Sequence, residues 1–146
     1  MVLLQLKIGM IENNTAFICY SHSEYSDVWG MFFGQLNKYL PDVKKYLFTD
    51  KVNKTIPDNI NVITYDNSLS YSYRVAHCLE QIDEKICLFH HEDMVLYDTP
   101  NLENLNKIYH FLLESHDVGY VKLLKGGLFN NTPTSEEDKY FLPKSP

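Results

Sequence analysis

Positive charge is scarce in this chain: arginine occurs once, at Arg74, and 13 basic residues face 19 acidic ones for a formal net charge of −6. With an isoelectric point near 5.4, such a chain lacks the basic face that a nucleic-acid backbone demands, so no nucleic-acid partner is expected. Long apolar runs are lacking too. None approaches the roughly 18 residues of a spanning helix, and the segment 1–7 lacks the basic start of a signal peptide. A soluble, cytoplasmic protein with no transmembrane segment is the expectation. Cysteine is sparse: Cys19, Cys78 and Cys87 sit in apolar segments without CxxC spacing, which reads as reduced core thiols and excludes a disulfide framework or a zinc site. A basic glycine-rich phosphate loop is not visible. The sequons at Asn13, Asn53 and Asn130 are what chance produces in so asparagine-rich a chain.

What is present fits one α/β domain over 1–126, followed by an extended polar tail over 127–146. A chain of 146 residues buries about two-thirds of its unfolded surface. Leu3, Leu4, Leu6 and Ile8 allow an edge strand or an arm that packs on a neighbour, and with it a homo-oligomer. Thr15–Tyr20, β-branched and aromatic and then polar, reads as a strand followed by a loop. Ser26 offers an N-cap to a helix with Val28, Trp29, Phe32, Phe33, Leu36 and Tyr39 on one face, ending near Pro41. Val43–Phe48 and Asn61–Tyr65 read as two short strands, each closely followed by an aspartate. Leu69–Ile82 reads as a second helix, with Val75, Cys78, Leu79 and Ile82 on one face. Leu102–Leu112 reads as a third helix and Gly119–Leu124 as a last strand.

The stretch from Lys85 to Asp98 organises the rest. Ile86–Phe89 is a continuous apolar run, as in a strand buried on both faces, and it runs straight into His90-His91-Glu92-Asp93. Strands alternating with helices imply crossover connections and a mostly parallel sheet, whose strand ends gather on one edge. Ser21–Tyr25, Thr49-Asp50, Tyr65–Ser68 and His90–Asp93 then share that edge, where open α/β sheets bind ligands.

In order and spacing, Tyr25-Ser26-Asp27-Val28-Trp29-Gly30-Met31-Phe32-Phe33, Lys38-Tyr39-Leu40-Pro41-Asp42, Thr49-Asp50, Ser72-Tyr73-Arg74 and Leu88 to Leu96 resemble the nucleotide-sugar half of GT-A-fold glycosyltransferases. The resemblance covers residues 15 to 124. It implies a three-layer, mostly parallel open sheet with helices on both faces, of the GT-A or Rossmann-like kind. It also implies a nucleotide-diphosphate sugar, in particular a UDP-sugar, bound with Mn²⁺ or Mg²⁺ and transferred to an unknown acceptor. By position, Ser21, His22 and Tyr25 would face the base and ribose, Asp50 would hydrogen-bond base or ribose, and Arg74 would pair with phosphate. The acidic motif that shares the metal falls on His91, Glu92 and Asp93. On an extended segment His91 and Asp93 point the same way, an oxygen donor suits a hard cation, and an imidazole favours manganese over magnesium. The sequence departs from the family in carrying His91 where the first acid of an Asp-x-Asp pattern stands. It also ends where the acceptor-binding half, with the catalytic base, usually follows.

Blander readings stand beside these. The histidines and acids are equally read as a polar strand end and a solvated turn, and Trp29, Phe32 and Phe33 as helix core. A hydrolase triad of Ser21, His22 and Asp27 lacks the glycine elbow. The alternative functions are a non-catalytic interaction domain that keeps the fold and a nucleotidyltransferase.

Overall fold

β1 (Thr15–Tyr20) is buried along its whole length, which follows from its central place between two partners. It pairs in parallel with β2 (Lys44–Thr49) on one side and with β4 (Ile86–His91) on the other. β3 (Ile60–Thr64) adds in parallel to the outside of β2, giving a four-stranded, all-parallel sheet in the order β3-β2-β1-β4. The computed structural model describes residues 14–121, 123, 131–133 and 141–143. Burial falls from β1 to the edge. In β3 only Ile60 and Ile63 are covered, while Asn61, Val62 and Thr64 face outward.

Successive side chains of a strand point to opposite faces, and β1 uses both. The Phe17 ring meets Phe32 of α1 (Trp29–Tyr39) edge-on, with centroids 6.4 Å apart. Ala16, Ile18 and Tyr20 instead join a core cluster with Phe48, Ile63 and Cys78, against which Val75 and Leu79 of α2 (Tyr71–Leu79) pack. α1 forms because Trp29, Phe32, Phe33 and Leu36 recur at helical spacing, and all four are buried. β1-α1-β2 and β3-α2-β4 are helical crossovers, whereas β2 and β3 are joined by a loop without a helix.

The helix boundaries differ from expectation for identifiable reasons. Ser26 does not cap α1. Its N–H goes to the Ser23 carbonyl at 3.3 Å, which closes a 3₁₀ turn over Ser23–Tyr25, and Val28 stands at the N-cap without a side-chain bond. α2 is shorter than 69–82 at both ends because turns take up the flanks: Leu69 N–H donates to the Asp66 carbonyl at 3.2 Å and Ile82 N–H to the Leu79 carbonyl at 3.3 Å.

The chain divides into two compact units at Asn101/Leu102. The second unit contains α3 (Leu102–Glu114), with a Glu103–Lys107 ion pair of 3.1 Å along its surface. It also contains β5 (Asn131–Pro133) paired antiparallel with β6 (Phe141–Pro143). The strand expected over Gly119–Leu124 is not formed at 119–121 or 123. Tyr120 and Leu123, two of the apolar residues expected to make it a strand, are 61% and 48% exposed. The arm expected around Leu3–Ile8 and most of the 127–146 tail lie outside the described residues. Among the described residues no helix is long and apolar enough to cross a membrane.

Candidate functional site

The strand order locates the site. From β1 the chain steps outward to β2 and β3, then returns to the other side of β1 to lay down β4. The crossovers therefore diverge between β1 and β4. At such a switch point the loops at the strand C-termini part and leave a crevice. The loops after β1, β2 and β3, the first turn of α2 and the end of β4 supply its polar groups.

Asp50, just after β2, is the anchor of this edge. Its Oδ1 accepts from the Ser23 N–H at 2.7 Å and its Oδ2 from the Ser23 hydroxyl at 2.9 Å. The Thr49 hydroxyl adds a 3.3 Å bond to Oδ1, and Asn67 Nδ2 a 3.2 Å bond to Oδ2. Burial works against the charge on this carboxylate, but the Ser23 bonds and the nearby His22 outweigh it and hold its carboxyl below the usual range. The side chain is only 8% exposed. Asp50 is thus spent on fixing the loop after β1, and the base or ribose contact expected of it has little free acceptor capacity to draw on.

His22 is the accessible member of that loop. Its Nδ1 accepts from the Glu24 N–H at 3.2 Å, which leaves the proton of the neutral ring on Nε2. Nε2 stands 3.5 Å from Asp50 Oδ2 and 3.1 Å from Asn67 Nδ2, so His22 and Asn67 converge on one carboxylate oxygen. Ser21 turns inward. It is 1% exposed, and its hydroxyl accepts from the Trp29 indole N–H at 2.8 Å, a contact that serves the core and not the open edge. Tyr25 is 55% exposed and stands clear of the network.

Arg74, in the first turn of α2, lies over the Tyr65 ring at 5.4 Å and donates from Nε to the Leu69 carbonyl at 2.8 Å. Nη1 makes two longer contacts, to the Tyr20 hydroxyl at 3.4 Å and to Asn67 Oδ1 at 3.5 Å. All of these partners are neutral. Among the described residues no carboxylate forms a salt bridge with Arg74. Aromatic rings floor the crevice: Tyr20 stacks on Tyr65 at 5.1 Å and meets Tyr71 edge-on at 5.1 Å. The sequence reading placed Tyr65 to Ser68 on this edge but singled out none of them. Asn67 and the tyrosines carry no motif, and only their proximity to Asp50 and Arg74 marks them.

The end of β4 departs from expectation. The strand stops at His91, and Met94 N–H donates to the His91 carbonyl at 3.0 Å. Glu92 and Asp93 are therefore the central residues of a turn, and His91 and Asp93 do not share the face of an extended segment. His91 faces Tyr71, with Nε2 3.5 Å from its hydroxyl, while Asp93 is exposed. The two acids still charge the strand end: after burial, they are what pushes the Cys19 thiol well above its ordinary range. His90 points the other way and stacks on Phe17 at 4.4 Å, its buried Nδ1 without a partner. Burial, reinforced by the neighbouring His91, holds its imidazole below the usual histidine range despite a backbone bond at Leu88.

Among the described residues no three histidine, cysteine or acidic side chains stand together as a metal site. His91, Glu92 and Asp93 do not fit a resident cation held by protein alone. Two carboxylates in a turn suit a hard cation only if other oxygens complete its shell. Set against protein-family profiles, curated proteins and solved structures, the chain matches none. The functional reading therefore rests on the geometry of the edge.

Proposed function

We propose that the chain binds a nucleotide-diphosphate sugar, specifically a UDP-sugar, at the C-terminal edge of its parallel sheet and transfers the sugar to an acceptor. In this reading the α/β unit is a three-layer GT-A-type sheet with a helix on each face. The observation that carries it is Arg74, a guanidinium at the switch point whose described hydrogen-bond partners are all uncharged. Arginine offers a planar fork that stays charged and matches phosphate oxygens two at a time. Tyr65 beneath it fixes the fork's plane, and the Asp50–Ser23 bonds hold the β1 loop that carries His22 beside it. Glu92 and Asp93 would be the residues to hold a Mn²⁺ or Mg²⁺ bound with the diphosphate, and such a cation would supply further positive charge there. Positive charge on the diphosphate stabilises the departing nucleotide as it gains charge, which is the electrostatic work that sugar transfer requires.

Calorimetry with a panel of nucleoside diphosphates, with and without Mn²⁺, tests the reading. UDP is expected to bind, and to bind more tightly with the metal. If no nucleoside diphosphate binds under either condition, the reading is lost.

A further inference from the structure

Asn67 has no catalytic chemistry of its own, yet it lies between Asp50 and Arg74, two oppositely charged groups of the edge. Its Nδ2 donates to Asp50 Oδ2 at 3.2 Å, and its Oδ1 accepts from Arg74 Nη1 at 3.5 Å. A side-chain amide is neutral and carries donors at one end and an acceptor at the other, so it bridges an anion and a cation without adding charge to either. Asp50 is already bonded by Ser23, and Arg74 is held mainly by the Leu69 carbonyl at 2.8 Å. The amide completes both without adding a charge of its own.

We propose that Asn67 is a positioning residue: its amide couples the anchored Asp50 to Arg74 and holds the guanidinium for an anionic ligand without a direct ionic partner, Asp66 acting on it only at longer range. This rests on the nucleotide reading for the identity of that ligand but not for the coupling, which exists in the free protein. Three loops and one helix meet through it. Asp50 fixes the loop after β1, Asn67 belongs to the loop after β3, and Arg74 lies in the first turn of α2. The charged side chain that bears on Asp50 is His22, while Asp50 in turn raises the Tyr65 phenol and Arg74 lowers the Asp66 carboxyl.

Asn67→Asp keeps the size and shape of the side chain but sets a carboxylate against Asp50 and gives Arg74 an ionic partner. Asn67→Ala removes the link without adding charge. Two readouts follow in the full chain, after its amide spectrum has shown each variant to be folded: calorimetric affinity for UDP, and the carboxyl titration of Asp50 by carbon NMR without ligand. Asn67→Asp is expected to weaken UDP roughly tenfold to a hundredfold, the worth of a bond to a charged group, and to move the Asp50 midpoint up. Asn67→Ala is expected to move both the same way by less. If wild type binds UDP while both variants match it in affinity and titration, the coupling is refuted and the nucleotide reading survives. If wild type binds no nucleoside diphosphate, the nucleotide reading fails, and an unmoved Asp50 midpoint in both variants would overturn the coupling as well.

Discussion

Trp29 is fully buried, yet its indole N–H is satisfied by the Ser21 hydroxyl at 2.8 Å. Trp29→Phe keeps an aromatic body but empties that bond and leaves space beside it. A loss of about 1–3 kcal/mol is expected in urea unfolding, with the amide signals of Ser21 and His22 shifted because the bond ties α1 to the start of the β1 loop. Arg74→Ala acts at the other end of the scale of effects. Its side chain covers the Tyr65 ring but bonds only neutral oxygens, so thermal stability should change little while UDP affinity falls by about tenfold or more; equal affinity would remove the arginine from the site. Burial pushes the Cys78 thiol up to about 11, and burial together with the charge of Glu84 takes Cys87 to about 11. Since only the thiolate reacts, a thiol reagent at pH 8 should modify Cys19, Cys78 and Cys87 far more slowly in native than in urea-unfolded protein.

Among the elements, β1 and β3 are opposites. Ile18 in β1 is 0% exposed, so Ile18→Ala should cost about 2–5 kcal/mol through lost burial and the cavity left behind. Val62 in β3 is 37% exposed on the sheet edge, and Val62→Thr should stay within about 0.5 kcal/mol. β4 adds a pH dependence through His90. Its folded pKa is depressed, chiefly by burial, so between that value and the unfolded one near 6.5 the unfolded chain binds the extra proton. Its contribution is whole above about pH 7 and is lost as the pH falls through 6.5 toward the folded value. The unfolding midpoint of wild type should therefore fall relative to that of His90→Phe as the pH drops from 7.5 to 5.5, and parallel curves would contradict the assignment.

At the scale of the whole molecule, carboxylates tie distant segments together. Glu84, before β4, bonds Lys44 at 2.7 Å and accepts from the Tyr46 hydroxyl at 3.0 Å. Burial raises its pKa, but these β2 partners win and lower it overall. Asp50 joins the loops after β1, β2 and β3 in the same way. Both folded pKa values lie below the unfolded values of about 3.9 for Asp and 4.3 for Glu, so the stability they contribute is present above about pH 5 and is lost as the pH falls through the folded values. The urea midpoint should drop below pH 5, and Asp50→Asn should flatten that acid limb.

How much of this was legible depended on how local the cause is. Thr15–Tyr20 forms a strand over the bounds read from its residues, and Trp29, Phe32, Phe33 and Leu36 fall on one buried helix face, because period and apolarity are written in neighbouring positions. A parallel sheet and the placing of Asp50 on its edge follow from strand–helix alternation, whereas Arg74 is assigned only through the family resemblance. The turn at Glu92-Asp93 is one of two readings of that stretch, beside the extended metal-sharing one, and the residues alone do not choose between them: no glycine or proline marks it, and it is set by one backbone bond from Met94 to His91. The same holds for Ser21, whose inward turn requires Trp29 to arrive beside it. Sequence alone thus determined which segments become strands and helices and which polar residues end them. Tertiary structure decided which of those residues are consumed in holding the edge together, as Asp50 is, and which, such as Arg74, make no salt bridge among the described residues. Contacts such as Asn67 with His22, 45 positions apart, depend on how loops meet, and no local pattern encodes that.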